Sequence, residues 1–172
     1  MELYLVRHGI AVERGTKGIR TDAGRMLTEA GIRKTRQAAA GLLAFEKKPD
    51  LLISSPYVRA LQTAEIFAEV FNIGKTIAQA DELAPGACAS ESIQLLAKRD
   101  ERTIMLFGHM PGLEELGALL LAGDASLDLP FKKAGVCKIA FSGKPAPKEG
   151  SLVWFLQPKQ LRLLNKSASA RN

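Results

Sequence analysis

The amino-acid sequence predicts an α/β domain of three layers, with a mostly parallel sheet between two layers of helices. Three observations lead to this prediction. Short apolar runs at residues 3–6, 51–53 and 103–107 alternate with longer segments of helical periodicity. The run at 103–107 is apolar throughout, as in a strand that is covered on both faces. Past Pro130, two strand-like runs follow each other without a helix between them, which predicts an antiparallel pair at one edge of the sheet.

The first half of the chain contains two predicted helices. Thr28 is a good N-cap residue, which predicts a helix over 29–45. Apolar residues at helical spacing are expected on its buried side: Ile32, Ala39, Leu42 and Leu43. Ser55 and Pro56 indicate a second helix start, with the hydroxyl as cap and the proline at the first helical position, for a helix over 56–71.

The second half of the chain contains two further helices and the strand pair. Ser90 is expected to cap one helix, and a helix over 111–122 is expected to end at Gly123. Residues 136–141 and 152–155 alternate between apolar and polar side chains and are expected to be the antiparallel strands.

The domain is expected to span residues 1–164, because no repeat or linker composition divides the chain. Residues 165–172 are small and polar, and a frayed tail is expected there. Cys88 and Cys137 fit no metal-binding or redox spacing and are expected to be two buried thiols. With two histidines and no carboxylate pair at ligand spacing, the sequence predicts no metal centre.

Composition narrows the classes of function. The chain has 172 residues, of which 24 are Lys or Arg and 18 are Asp or Glu, for a formal net charge of +6. This charge suits an anionic ligand or an acidic partner. No dense basic block is interleaved with aromatic residues, which argues against nucleic-acid binding. No apolar stretch approaches the roughly 20 residues that span a bilayer, and no basic signal-peptide region is seen, so a cytoplasmic protein without membrane contact is expected.

Chemically distinctive residues follow three of the predicted strands. Arg7, His8 and Gly9 come directly after the first strand, and His109 follows the run at 103–107. Arg59 lies in the first turn of the helix that follows the second strand. Because ligands of parallel sheets bind beyond the carboxyl ends of the strands, these side chains are expected to meet at one site.

Two arginines and two histidines at one sheet edge suit a phosphoryl group. The Arg59 side chain is expected to lean toward the N-terminus of its helix, beside amide groups that favour anions. Guanidinium groups match phosphate oxygens in pairs. A neutral imidazole nitrogen can attack phosphorus and form a covalent intermediate.

With these motifs the chain resembles the histidine phosphatase superfamily. The Arg7-His8-Gly9 signature, Arg59 in a Ser-Pro-x-x-Arg-Ala setting, and His109 after a strand match that family in identity and order. More narrowly, the chain is similar to the short phosphohistidine phosphatases of the SixA type. The resemblance implies a phosphoglycerate mutase-like fold.

The resemblance also implies roles for these residues. His8 would be the nucleophile that is transiently phosphorylated. Arg7, Arg59 and His109 would hold the transferring oxygens and spread their charge. Gly9 would let the backbone come close to the ligand without a Cβ in the way. No metal and no cofactor is implied.

A proton donor for the leaving group is harder to assign. Many members of the family supply a carboxylate after the second helix, and others an Asp directly after the second histidine, where this chain has Met110. Asp81 and Glu82 lie in the first region, and Asp22 lies in the loop after the first strand. Glu82 and Asp22 are the candidate acids, and a solvated surface charge is the alternative for each.

The weak case for an acid favours a phosphoramidate substrate, since a departing imidazole can take a proton on its other nitrogen near neutral pH. Only residues 72–102 separate the second helix from the run at 103–107, so an open pocket is expected. Such a pocket would admit a phosphohistidine-bearing protein, for example a phosphorelay histidine carrier. The alternatives are a broad-specificity small-molecule phosphomonoesterase and a phosphate-binding module without catalysis.

Overall fold

The computed structural model describes the backbone of residues 1–74 and 77–169, and the side chains within that part as far as residue 165. In this part of the chain, strands form one six-stranded sheet in the order β3-β2-β4-β1-β5-β6. The strands are β1 (Glu2–Arg7), β2 (Leu51–Ser54), β3 (Ala78–Gln79), β4 (Thr103–Gly108), β5 (Val136–Ala140) and β6 (Ser151–Leu156).

Helices cover both faces of this sheet. The helices are α1 (Glu29–Leu43), α2 (Val58–Val70), α3 (Ala89–Ala97), α4 (Gly112–Ala122) and α5 (Pro158–Ser169), with a 3-10 turn at Asp81–Leu83. Helices α1, α2 and α5 contribute to the core on one face, and α3 and α4 to the core on the other. None of the helices in the described ranges has the length and apolar character that crossing a bilayer requires.

The pairing of the strands confirms the predicted three-layer fold. β1, β2, β3 and β4 are parallel to one another where they pair, whereas β5 runs antiparallel to both β1 and β6. The predicted antiparallel pair therefore forms one edge of a mostly parallel sheet. Alternate residues of β1 enter the two cores, with Leu3 and Leu5 on the α3–α4 side and Tyr4 and Val6 on the other.

Helix α1 begins where the sequence predicts and buries two of the four predicted residues, Ala39 and Leu42. The Thr28 hydroxyl accepts a hydrogen bond from the Gly31 amide at 2.9 Å, which confirms the N-cap. The prediction that Ile32 and Leu43 are buried is wrong, since both are exposed. The helix packs closely between α2 and α5 and buries mostly small residues instead: Gly31, Thr35, Ala38, Ala39, Gly41 and Leu42.

Two predicted helix starts are displaced by two residues. Helix α2 begins at Val58 after Tyr57 as N-cap, and not at Pro56. Helix α3 follows Cys88 as N-cap, and not Ser90. Cys88 is exposed at this position, so the prediction of a buried thiol is correct only for Cys137.

The sequence analysis missed β3, the 3-10 turn and α5. Helix α5 continues through Ser169, which includes the first part of the segment expected to be frayed, and residues 170–172 lie outside the described residues. Leu161 of α5 is fully buried in the core that α1 and α2 share. This contact gives a short polar segment its helical structure, because an amphipathic helix is stabilised mainly by packing.

Gly41→Ala is expected to destabilise the protein, because a Cβ at Gly41 would overlap the carbonyl oxygen of Leu161 where α1 crosses α5. The free energy of unfolding, measured by urea denaturation, should fall by about 2 kcal/mol. Gly112→Ala is the matched control, since a Cβ at this helical position meets nothing within 4 Å. An unchanged midpoint for Gly41→Ala would show that α5 moves away from α1 without cost.

Candidate active site

The carboxyl ends of β1, β2 and β4 bring the predicted residues together. The His8 amide donates to the Gly108 carbonyl at 3.1 Å, and the Ser55 amide donates to the Phe107 carbonyl at 2.9 Å. These bonds join the three segments just beyond the strands. The ring centroids of His8 and His109 are 5.1 Å apart. The predicted convergence at one sheet edge is therefore present.

The imidazole of His8 is held in one tautomer by its two partners. Its Nδ1 lies 2.7 Å from the carbonyl oxygen of Gly9, and its Nε2 lies 3.3 Å from Nε of Arg59. A carbonyl oxygen only accepts, so Nδ1 carries the proton and the lone pair of Nε2 accepts from Arg59. Burial lowers the pKa of His8 to about 4, helped by the positive charges of Arg59, Arg7 and Lys133, whereas the bond to Gly9 opposes this.

Asp22 holds the other side of Arg59. The two terminal nitrogens of Arg59 donate to the Asp22 backbone oxygen at 2.7 Å and to its carboxylate at 3.0 Å. The same carboxylate accepts from Arg25 at 2.9 Å and from Arg14 at 3.0 Å. Hydrogen bonds from Arg25, then Arg14 and Arg59, hold the pKa of Asp22 well below its usual range. Asp22 is therefore held as a carboxylate, and its bonds to Arg59 position that guanidinium.

His109 lies near His8, and only one of its two ring nitrogens has a hydrogen-bond partner among the described residues. Its Nε2 is 2.9 Å from the Ser55 hydroxyl, and its ring meets that of Tyr57 at a centroid distance of 5.2 Å. Burial, followed by the charges of His8 and Arg59, lowers the pKa of His109 to about 3. Its Nδ1 is buried without a hydrogen-bond partner among the described residues. An unpartnered buried nitrogen at a strand end is able to bind an oxygen atom of a ligand.

The guanidinium of Arg7 is bonded to the protein through only some of its nitrogens. One terminal nitrogen donates to the Phe131 carbonyl at 2.5 Å, whereas Nε is buried without a partner in the described part of the chain. Burial lowers the pKa of Arg7 and of Arg59 from the ordinary guanidinium value. Burial therefore disfavours both positive charges, and an anion bound at the site would offset this unfavourable free energy.

The structure gives a reason for a glycine at position 9 that differs from the expected one. A Cβ at this position would overlap the hydroxyl of Thr35 on α1, so the missing side chain permits close packing there. The Gly9 amide donates to the Thr63 hydroxyl at 2.9 Å, and that hydroxyl donates to the Arg59 carbonyl at 2.7 Å. Gly9 thus fixes the segment that carries His8 against α1 and α2.

Glu82, the second candidate acid, lies in the 3-10 turn and lines a cavity together with His109. Its backbone oxygen accepts from the Ser92 hydroxyl at 2.8 Å, which fixes the turn against α3.

Sequence reasoning missed part of this arrangement. Thr63, Arg25 and Tyr57 are not among the residues that the sequence indicates, and Ser55 is expected there only as a cap. Thr63 follows Arg59 by one helical turn, so its place on the same helix face was a usable signal. Arg25 lies in a loop without periodicity, and no pattern indicated its contact with Asp22.

Together these groups form a cationic site that can hold a tetrahedral anion. Arg59 donates to Nε2 of His8, the His109 ring lies 5.1 Å from the His8 ring, and the charge of Arg7 acts on His8. Arg7 and His109 each carry a buried nitrogen without a described partner. Within the described residues, no group of three or more metal-ligating side chains comes together.

Comparison with known proteins identifies the family. Residues 3–111 match the family model of the histidine phosphatase superfamily (branch 1). The chain belongs to this superfamily. An uncharacterized protein of Picosynechococcus sp. is 32% identical to this histidine phosphatase over 139 residues, which cover 79% of this chain and 82% of that protein. The phosphohistidine phosphatase SixA of Escherichia coli is 24% identical over 166 residues, covering 95% of this chain and 98% of that protein.

A solved structure supports the same fold. The protein histidine phosphatase SixA complexed with tungstate matches with a TM-score of 0.80 at 22% identity, covering 94% of this chain and 99% of that chain. The likeness confirms the phosphoglycerate mutase-like α/β fold expected from the sequence. Membership of the histidine phosphatase superfamily implies phosphatase activity.

The two histidines of this histidine phosphatase are expected to be neutral even at pH values well below 6.5, the ordinary pKa of imidazole. Burial disfavours each cation, so His8 should titrate near pH 4 in the phosphate-free protein, with its proton on Nδ1. Ring nitrogen chemical shifts of isotopically labelled histidine measure both properties, and His8→Asn provides the assignment. A midpoint near 6.5 for His8 would contradict the burial argument.

Proposed function

We propose that this protein is a metal-independent phosphohistidine phosphatase that acts through a covalent phospho-His8 intermediate. The observation that carries the proposal is the state of His8. Its Nε2 bears a lone pair, because Nδ1 is committed to the Gly9 carbonyl, and this nitrogen lies 3.3 Å from Nε of Arg59. A neutral imidazole nitrogen next to guanidinium groups suits nucleophilic attack on a bound phosphoryl group.

In the first step, Nε2 of His8 forms a bond to phosphorus while the bond from phosphorus to the leaving group breaks. The leaving group keeps the electron pair of that bond. Arg7, Arg59 and His109 would bind the phosphoryl oxygens, whose charge is spread in the transition state. The unpartnered Nε of Arg7 and Nδ1 of His109 are the groups we assign to these oxygens.

In the second step, water attacks phosphorus and the bond from phosphorus to Nε2 breaks. Phosphate leaves, the water proton passes to solvent, and His8 regains its lone pair. The bond from Nδ1 to the Gly9 carbonyl persists through both steps and stabilises the positive charge that the phosphorylated ring carries.

The surroundings of the site favour a phosphoramidate over an alkyl phosphoester. An imidazole leaving group can be protonated by solvent on its other nitrogen, so its departure needs no proton from the enzyme. An alkoxide needs an acid, and Asp22 cannot serve because three arginines hold its carboxylate ionised. We therefore propose a phosphohistidine on a partner protein as the substrate.

Access to the site supports a substrate carried on a protein. Between α2 and β4, the described part of the chain contains β3, a 3-10 turn and α3, and α3 packs back against α4. No separate lid domain is formed by this stretch. A phosphohistidine that projects from a folded partner could approach the sheet edge there.

One observation favours a second candidate, a broad-specificity phosphomonoesterase. Glu82 lines the same cavity as His109, where a carboxyl group could give a proton to an alkoxide leaving group. The two candidates share His8 as nucleophile and differ in the need for this acid.

Phosphoryl transfer to His8 is expected to be trapped directly. Wild-type protein quenched in alkaline denaturant during turnover of a radiolabelled phosphohistidine peptide should carry label on His8. His8→Ala should lose at least about a thousandfold in turnover and carry no label. His109→Ala is the matched control, because it retains the nucleophile and should still be labelled, more slowly. A wild type that binds phosphate and takes up no label would indicate the phosphate-binding module instead.

Substrate preference is expected to follow the leaving group. The kcat/KM for a phosphohistidine peptide should exceed that for the matching phosphoserine peptide by at least about a hundredfold, since general acid catalysis contributes this much or more. Glu82→Gln should leave phosphohistidine turnover within about twofold of wild type. Equal turnover of the two peptides, with selective loss of phosphoserine turnover in Glu82→Gln, would favour the phosphomonoesterase.

A further inference from the structure

A groove lined by positive charge adjoins the site on the side of β1 away from His109. Arg7 is one of the residues that line it, so the groove and the site share this guanidinium. Its four outer cations are Lys34 of α1, Lys132 and Lys133 of the loop before β5, and Arg162 of α5. No acidic residue lines this cationic groove.

The loop that carries two of these cations is fixed to the nucleophile segment. The Ala134 amide donates to the Arg7 carbonyl at 3.0 Å and to the His8 carbonyl at 3.2 Å. The Gln157 side chain, just before α5, accepts from the Lys132 amide at 2.9 Å. Ala134 is held at a φ of 65°, a left-handed conformation that non-glycine residues adopt only where the surrounding structure requires it. These bonds attach the loop of Lys132 and Lys133 directly to the segment that carries His8.

The charges of the cationic groove are available to a ligand. Among the described residues, none of its four outer cations has an ion-pair partner, whereas Lys144 elsewhere on the surface pairs with Asp100. Lys34 and Lys132 are exposed, and Lys133 is half-buried. The charge of Lys133 acts on His8, since it contributes to the low pKa of that imidazole.

We infer that the cationic groove docks an acidic segment of the protein that presents the phosphohistidine. The inference rests on the proposed function and adds a specificity determinant to it. The outer cations come from α1, the loop before β5 and α5, so they match several carboxylates spread over a protein surface rather than one small anion. Their continuity with Arg7 places such a segment next to the phosphoryl group. Complementary charge of this kind steers encounter and fixes orientation.

Two synthetic peptides test the inference. Each carries one phosphohistidine, flanked in one peptide by a run of Glu and in the other by the same number of Gln. Wild type is expected to turn over the Glu-flanked peptide with a kcat/KM about tenfold higher at low ionic strength. The preference should shrink as salt is added, because exposed charges are screened.

Charge-reversal variants test whether the preference for the Glu-flanked peptide depends on the cationic groove. Lys34→Glu combined with Lys132→Glu is expected to abolish or reverse the preference between the two peptides. Lys98→Glu combined with Arg102→Glu is the charge-matched control, since both residues are exposed at the opposite end of β4 from the site. This control should keep both the wild-type preference and the wild-type activity. Circular dichroism and thermal unfolding verify that each variant is folded.

A binding measurement separates docking from chemistry. Fluorescence anisotropy with the unphosphorylated Glu-flanked peptide should show salt-sensitive binding to wild type, weakened at least about fivefold in the Lys34→Glu and Lys132→Glu variant. Equal turnover of the two phosphorylated peptides would overturn docking and leave the phosphohistidine function standing. Turnover of neither peptide, with turnover of phosphoserine, would overturn the phosphohistidine function itself and docking with it.

Discussion

The hydrogen bond from His8 Nδ1 to the Gly9 carbonyl is the interaction on which the rest of the site depends. Because the carbonyl only accepts, the bond places the ring proton on Nδ1 and turns the lone pair of Nε2 toward Arg59. Burial keeps the ring neutral by lowering the pKa of His8 to about 4. In the other tautomer, Nε2 of His8 would carry the proton and would have no lone pair for nucleophilic attack.

The arginines around His8 are each held in place by other groups of the protein. Arg59 gives its terminal nitrogens to Asp22 and its Nε to His8, while Arg7 gives one nitrogen to the Phe131 carbonyl and leaves Nε without a described partner. Each guanidinium is thus fixed before any anion arrives, which is the arrangement that electrostatic stabilisation of a transition state requires. The acidic partner that fixes Arg59 is for the same reason unsuited to donating a proton.

Sequence patterns predicted the elements whose structure depends on residues close together in the chain. Apolar periodicity placed β1, β2, β4 and the β5–β6 pair, and the carboxyl-end rule for parallel sheets placed the two histidines together. The predicted start of α2 at Pro56 was wrong, since the helix begins at Val58; the Ser55 hydroxyl accepts from the Tyr57 amide and contacts His109. Burial of Ile32 was wrong because α1 meets its neighbours through small residues, which a search for large apolar side chains overlooks.

By itself, the sequence determined which side chains stand at the strand ends, because strand order and periodicity are written along the chain. The tertiary structure alone decided that Asp22 pairs with Arg59, that Gly9 makes room for Thr35, and that Lys34 joins the loop lysines in one groove. These contacts join residues far apart in the chain. They depend on the path of loops and the spacing of helices, which packing sets and no local pattern encodes.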